Sequence, residues 1–384
     1  MRRKGIIVLI YIVLLLMPTA CWNSKDLQSM AYATAIGLDY VDGKFITYIQ
    51  VLNFSNIAKG EMSSEGKNVP TWIGRGEGVT VTESLNSIYS TAQLRIFWGH
   101  VKAIVMSERF MKQGARVAEA YDMINRYREI RYNILLFGTK EPMRNVFSQK
   151  SNLYMSPIES ILENPLEQYS QRSYILPMYG YKFIAKLNEP TGIAILPSLS
   201  INSSAWTEDQ KKRTMFWIDG AYIFCDNKFC GWFSNEKLAG YRWMEKKLER
   251  SLINVPNSPH PDVALVMIKP KPSVQYTIRN GKAHFTIKLS IQAYVDEMIY
   301  NRSRKDIEEQ AAQDIEKQIR ATYENGLGIH ADVLGLTESL YRKNPKMWQK
   351  LQESNKFILD HDSLERIDVA VKLQHSGKYK LRVK

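Results

Sequence analysis

The chain has 384 residues, with 52 Lys+Arg against 39 Asp+Glu and a formal net charge of +13. Its 45% hydrophobic and 24% charged content is that of a globular protein and excludes a disordered or fibrous one, while three cysteines in so long a chain exclude a disulfide-framework fold. The length exceeds one ordinary core and predicts two or three domains.

Arg2, Arg3 and Lys4 precede an apolar run, Gly5 to Met17, interrupted by Tyr11. At 13 residues it is too short for a bilayer core, which takes about 20, and fits a signal-peptide h-region. Pro18-Thr19-Ala20-Cys21 follows. Small residues before a Cys resemble the lipobox of bacterial lipoproteins, where the signal is cut before the Cys and a diacylglyceryl group joins its sulfur. Pro18 stands where a lipobox usually has Leu. A plain secretory signal cut after Ala20 is the alternative. A cut between Ala20 and Cys21 leaves 384 − 20 = 364 residues and, with three cations removed, a charge of 13 − 3 = +10. There is no second apolar run of about 18 residues, so the expected mature form is a body tethered through Cys21. Its basic balance suits an anionic lipid surface or an acidic wall polymer at least as well as nucleic acid.

Ala33–Tyr40 and Phe45–Asn53 read as strands around the turn Asp42-Gly43. Ser55–Pro70 reads as a loop and Thr71–Glu77 as a third strand. Thr80 and Glu83 have capping-box spacing ahead of a helix through Leu85, Ile88 and Ala92. A strand over His100–Ser107, a helix over Glu108–Tyr127 and a strand over Arg131–Gly138 follow. Pro142–Tyr169 reads as helical with breaks near Pro157 and Pro165, and Phe183–Ile201 as a connecting region. Met215–Phe233 is a hairpin turning at Asp226-Asn227, then a helix over Glu236–Glu249. Three prolines in Asn254–Pro261 mark a boundary. Val263–Ile268, Ser273–Arg279 and His284–Val295 are strands, the last two joined at Asn280-Gly281. Helices are expected over Arg304–Glu324, Leu336–Arg342 and Pro345–Glu353, and a closing hairpin over Ile367–Gln374 and Lys378–Val383. Strands in hairpins and helices in blocks predict an α+β fold with mixed, mostly antiparallel sheets. The divisions are 1–20 as signal, 21–188 as an N-terminal α/β domain, 189–258 as a middle domain and 259–384 as a C-terminal α/β domain.

The chemical motifs are sparse. Gly74-x-Gly76-x-Gly78 brings its third Gly one residue early for a dinucleotide fingerprint. Gly60 to Gly66-Lys67 has five intervening residues instead of the four of a phosphate loop. No two of the six His lie within i+4, which argues against a metal site. His100 reads as structural. Cys225 and Cys230 flank a turn in what should, after export, be an oxidising compartment. With a two-residue turn they are diagonal, about 7–8 Å apart, at or beyond disulfide reach; with a four-residue turn they sit opposite and can bond. The acids Glu308, Glu309, Asp314 and Glu316 read as a solvated helix face. No nucleophile–base motif and no aromatic–Arg stripe for nucleic acid stands out.

Several stretches together resemble the Ger(x)C family, the C-subunit lipoproteins of bacterial spore germinant receptors. They are Cys21-Trp22-Asn23-Ser24-Lys25-Asp26-Leu27, Ala35-Ile36-Gly37-Leu38-Asp39 and Arg95-Ile96-Phe97-Trp98-Gly99-His100-Val101-Lys102. Glu129-Ile130-Arg131, Phe229-Cys230-Gly231-Trp232 with Glu236 to Met244, and the block Asp332-Val333-Leu334-Gly335-Leu336 with Tyr341, Arg342, Met347 and Trp348 complete the order. Asn23, Asp26 and Gly99 depart mildly from the family pattern. The resemblance implies a mixed three-domain α/β body, no established catalytic activity and no known cofactor. It also implies a lipoprotein on the outer face of the spore inner membrane, assembled with two integral-membrane receptor subunits and required for nutrient-triggered germination. No ligand-binding residue follows from it. Two other functions are weighed: a stand-alone binding lipoprotein of an importer, which would need long βαβ alternation, and a membrane-anchored cell-wall hydrolase, which would need a paired acid and base or a metal.

Overall fold

In the computed structural model, Gly5 and residues 30–52, 70–114, 116–151, 160–354 and 357–374 are described. Ala20, Cys21, the expected signal other than Gly5, the stretch 55–69, Pro157 and the expected strand Lys378–Val383 lie outside the described residues. Two mixed sheets with helices packed on them form the body, an α+β architecture.

The first sheet is built around parallel strands. β1 (Met30–Val41), β5 (Ala103–Ser107), β6 (Leu135–Thr139) and β8 (Ile193–Glu208) run side by side in one direction. The antiparallel strands β2 (Lys44–Leu52) and β3 (Trp72–Gly78) extend one side, and β9 (Lys211–Cys225) and β10 (Lys228–Ser234) extend the other. Two short strands, β4 (Arg95–Phe97) and β7 (Met178–Tyr179), pair with β1 and β6. Every residue of β5 and β6 is buried, as expected of strands covered on both faces. Ile104, Met106 and Leu136 face α1 (Val81–Tyr89), α3 (Arg116–Asn125) and α6 (Gly180–Asn188). Ala103, Val105, Leu135 and Phe137 face α4 (Met143–Ser148) on the other side.

Where the chain signals its turns locally, the expectations hold. Asp42 and Gly43 both have positive φ at the β1–β2 turn, and Asn280 and Gly281 at a second hairpin. Thr80 accepts the Glu83 N–H at 3.1 Å, and Glu83 reaches back to the Val79 N–H at 2.7 Å. The expected helix Glu108–Tyr127 is instead two pieces, α2 (Glu108–Met111) and α3, because Gly114 turns the chain at φ +63. Phe183–Ile201 is not a connector. Its first part belongs to α6 and its last to the 16-residue β8, with Pro190 and Gly192 marking only the loop between them. Of Glu236–Glu249, α7 (Tyr241–Met244) is α-helical. A further short helix, α5 (Pro165–Gln171), begins at the predicted proline.

The second sheet has the order β11-β12-β13-β14. β12 (Val263–Arg279) is one strand where two were expected, because Lys269, at positive φ, forms a bulge that lets pairing with β13 (Lys282–Met298) resume at Lys271. The segment 189–258 carries no sheet of its own: β8–β10 complete the first sheet, and β11 (Ser251–Val255) opens the second. The long helix α8 (Arg304–Leu327) is capped by Ser303 and lays Ile307, Ala311, Ile315 and Ile319 on the second sheet at helical spacing. Helices α9 (Leu336–Lys343) and α10 (Pro345–Ser354) follow. Then β14 (Leu364–Leu373) pairs parallel with β13.

Candidate functional site

Family-type residues from distant parts of the chain gather in two places. One is the junction between the sheets. α6 presents Lys186, and the loop beyond it presents Glu189. α9 presents Glu338 and Arg342 one turn apart. Lys186 reaches both Glu189 and Glu338 at 3.1 Å, and Arg342 reaches Glu338 at 2.7 Å and Glu189 at 3.3 Å. Two cations and two carboxylates thus close a ring across the junction. Burial works against the charge on Lys186, yet hydrogen bonds to Glu189 and Glu338 outweigh it and raise its pKa. Burial likewise opposes the Glu338 charge, and the hydrogen bonds from Arg342 and Lys186 outweigh it and lower its pKa.

Beside this ring lies a cavity of about 170 Å³ walled by Met178, Ile193, Ile195, Tyr241, Met244 and Leu334. Asp332 sits in its wall and fastens the start of α9. Its carboxylate accepts the Leu336 N–H at 2.9 Å and both the N–H and hydroxyl of Thr337 at 2.7 Å. Complete burial raises the Asp332 pKa, partly offset by those bonds. Gly335, at φ +69, makes the left-handed turn that this cap needs. The Asp332–Gly335 motif is therefore a helix start, and the ring beside it is a clasp; neither presents a nucleophile paired with a base.

The second place is the end of the first sheet where its parallel strands begin. Met30 pairs with Arg95 across β1 and β4. Arg95 is bonded to Glu129 at 3.2 Å, and the other Glu129 oxygen accepts the Trp98 N–H at 3.1 Å. Trp98 Nε1 donates to the Tyr89 hydroxyl at 3.2 Å. Burial first, then Tyr127, pushes the Tyr89 phenol up to about 12. His100 packs edge-on to Tyr32 with ring centres 5.2 Å apart, and burial together with Arg131 and Lys102 lowers its pKa. A groove of about 560 Å³ runs between α1 and the loop after α3, lined by Tyr89, Leu94, Arg95, Trp98, Tyr127 and Arg128. The structure thus unites Arg95, His100, Lys102, Glu129 and Arg131, which the sequence presents as separate motifs.

Cys225 and Cys230 are brought together with their sulfurs at bonding distance and Cα atoms 6.0 Å apart. The turn is the two-residue one, with Asp226 and Asn227 at φ 47 and 62 and Cys225 opposite Lys228. A bulge at Cys230 puts Gly231 opposite Ile223, and this irregularity swings Cys230 toward Cys225. Among the described residues there is no cluster of three or more His, Cys, Asp or Glu able to hold a metal, and no helix is long and apolar enough to cross a membrane.

Comparison with known proteins agrees with this arrangement in both halves. A family described as "Spore germination protein N-terminal domain" matches residues 23–201, and one described as "Spore germination B3/ GerAC like, C-terminal" matches residues 219–377. The chain belongs to the Ger(x)C family of spore germinant receptor C subunits. Spore germination protein KC of Bacillus subtilis (strain 168) is 22% identical over 404 residues, covering 97% of this chain and 95% of that protein. The crystal structure of the GerBC protein has the same fold at a TM-score of 0.54 and 15% identity, covering 88% of this chain and 96% of that one. As a Ger(x)C protein, the chain carries its Arg95–Lys102 and Glu129–Arg131 motifs at the start of the parallel strands, its Asp332–Gly335 motif at the junction and its Phe229–Trp232 motif at the Cys230 bulge, while Ala35–Asp39 lies within β1 and Cys21–Leu27 lies outside the described residues. Sequence reasoning missed Lys186, Glu189 and Glu338 in the clasp. The i, i+3 spacing of Lys186 and Glu189 and the i, i+4 spacing of Glu338 and Arg342 are visible signals, but nothing local links one pair to the other.

Proposed function

We propose that this germinant receptor C subunit works without catalysis, as a lipid-anchored docking component of a nutrient receptor. Cys21 carries the lipid and holds the body at the outer face of the spore inner membrane. There it assembles with two integral-membrane subunits. The observation that carries this reading is the pair of family matches, in order over nearly the whole chain, beginning just after a Cys that follows a signal-like segment. Anchoring gathers the body near its partners and raises their effective concentration.

The acids of α8 support a structural use of its carboxylates. Glu308 binds Arg304 at 3.0 Å and accepts the Leu373 N–H at 2.9 Å, fastening β14 to the helix. Asp314 accepts the Asn257 N–H at 2.9 Å and holds the loop before β12.

The test is capture of the chain from detergent-solubilised dormant-spore membranes, paired with a nutrient-response assay on spores lacking it. Co-capture of two integral-membrane proteins and a lost response restored by the wild-type chain are the expected results. Capture of the chain alone with an unchanged nutrient response overturns the reading, and release of muropeptides by the purified protein replaces it with a hydrolase.

A further inference from the structure

The end of the first sheet at which the chain enters the body has the composition of a membrane-facing surface. Met30 lies beside Arg95, nine positions along the chain from Cys21. Even fully extended, nine residues span about 30 Å. A lipid on Cys21 therefore keeps this end, more than any other, close to the bilayer.

The surface residues there are of the right kind. Tyr132 is 74% exposed and meets Tyr181, itself 44% exposed, with ring centres 5.9 Å apart. Leu94, also 44% exposed, stands at the groove beside Arg95. Tyrosines with an apolar ring and a polar tip collect at membrane–water interfaces. Around them are the cations Lys102, Arg128 and Arg131, all exposed, and Lys182, which lies 5.7 Å from the Tyr181 ring centre. Nearby acids, Glu129 on the loop after α3 and Asp122 in α3, are bonded to Arg95 and Arg126. The patch is thus basic in balance and tipped with aromatics.

Topology assembles it. β4, β5 and β6 are parallel to β1, so the loops that precede them reach the same end as Met30. β7 delivers Tyr179 opposite Leu135, and the Gly180 N–H donates to the Ile134 carbonyl at 2.8 Å, which fixes Tyr181 and Lys182 beside Tyr132. The tip of the β8–β9 hairpin, with Lys211, Lys212 and Arg213, lies at the opposite end of the sheet.

We propose that this end, centred on Tyr132, Tyr181, Arg128, Arg131 and Lys182, lies against the anionic phospholipid headgroups of the membrane and orients the receptor subunit on it. The proposal rests on the anchored reading above. Its occupant is lipid because the patch is joined to the tether by a short chain and its charge is opposite to that of the surface the tether reaches.

The experiment uses the full mature chain carrying Cys21→Ser, exported behind a non-lipoprotein signal, so that binding does not depend on the anchor. Its affinity for vesicles of 3:1 phosphatidylcholine and phosphatidylglycerol, and for pure phosphatidylcholine, is measured by sedimentation at low and high salt. Binding to the anionic vesicles alone, weakened by salt, is expected. The triple variant Arg128→Gln, Arg131→Gln, Lys182→Gln is expected to weaken it by roughly a hundredfold, about fivefold per cation. The triple variant Lys211→Gln, Lys212→Gln, Arg213→Gln removes equal charge from the far end and is expected to leave it nearly unchanged. Both variants are checked by circular dichroism and thermal unfolding. Equal losses in the two variants reduce the effect to overall charge and overturn the proposal. Absence of binding to anionic vesicles also overturns it and leaves the patch to a protein partner. The anchor itself is judged separately, by detergent partition of the lipidated wild type.

Discussion

Lys186 and Glu338, 152 residues apart in the chain, meet at 3.1 Å across the junction of the two sheets. Each also holds a second partner, Glu189 and Arg342 respectively. Both side chains remain partly exposed, at 39% and 31%, so screening limits what the pair contributes. A double-mutant cycle with Lys186→Met and Glu338→Gln, read by urea unfolding, is expected to show a coupling of about 0.5–1 kcal/mol.

The coupling has a defined pH window. The pKa of Glu338 is lowered on folding, so its contribution is present above the unfolded value of about 4.3 and is lost as pH falls through the folded value. Lys186 is raised, so its share is present below its unfolded value of about 10.4 and is lost as pH rises through the folded one. The cycle repeated at acid pH is expected to show a coupling that shrinks steadily as pH is lowered below about 4. An undiminished coupling there would assign it to packing.

Gly240 occupies a contact that admits no side chain. A Cβ there would stand 2.3 Å from the Gln318 carbonyl oxygen and 2.5 Å from the Ile319 Cα. The Gly240 N–H also donates to the Thr322 side-chain hydroxyl at 2.9 Å, so the start of α7 lies directly against the α8 backbone and is bonded to an α8 side chain. Gly240→Ala is expected to cost about 3 kcal/mol or more by forcing these segments apart. Gly281→Ala, in an open turn at φ +75, would act only through local backbone strain and is expected to cost less. Thermal unfolding of the two variants side by side checks the order.

The Cys225–Cys230 link closes a short loop, the two residues being five apart in sequence. A loop this short restrains the unfolded chain by only about 2 kcal/mol in the chain-entropy account. Cys225→Ser and Cys230→Ser are each expected to lower the denaturant midpoint modestly while leaving circular dichroism unchanged. Alkylation before and after reductant, followed by mass measurement, is expected to reveal two additional reactive thiols after reduction.

Anchoring is expected to depend on Cys21. Cys21→Ala should move the protein out of the detergent phase once the signal is removed, and spores carrying it should respond poorly to nutrient. Strong overexpression is expected to restore part of the response, because the loss is one of effective concentration, a factor of roughly 10² to 10⁴. A Cys21→Ala protein that still partitions fully into detergent would sink the anchor.

Local chemistry carries its own instructions, and those parts of the molecule are legible in the residues. Asp42-Gly43 and Asn280-Gly281 make their turns because these residues tolerate positive φ. Thr80 and Glu83 start α1 because both partners of the cap lie within one turn. The alternation of β12 and β13 and the i, i+4 stripe of α8 likewise sit within a few residues, as do the family motifs. What the sequence alone determined was therefore the α+β class, the hairpin turns at Asp42-Gly43 and Asn280-Gly281, the Thr80 cap and the membership of a family.

Tertiary structure decided what depends on partners far along the chain. The parallel neighbours β1, β5, β6 and β8 are joined by crossovers, and no turn motif announces which strand lies beside which. β8 looked like a connector because Pro190 and Gly192 are visible locally, whereas its pairing with β9 is not. The bulge that aims Cys230 at Cys225, the meeting of Lys186 with Glu338, and the gathering of Arg95, Glu129, Tyr132 and Tyr181 at the end where β1 begins follow from packing both sheets into buried cores. Side-chain periodicity specifies which residues turn inward; only the assembled cores specify what they meet there.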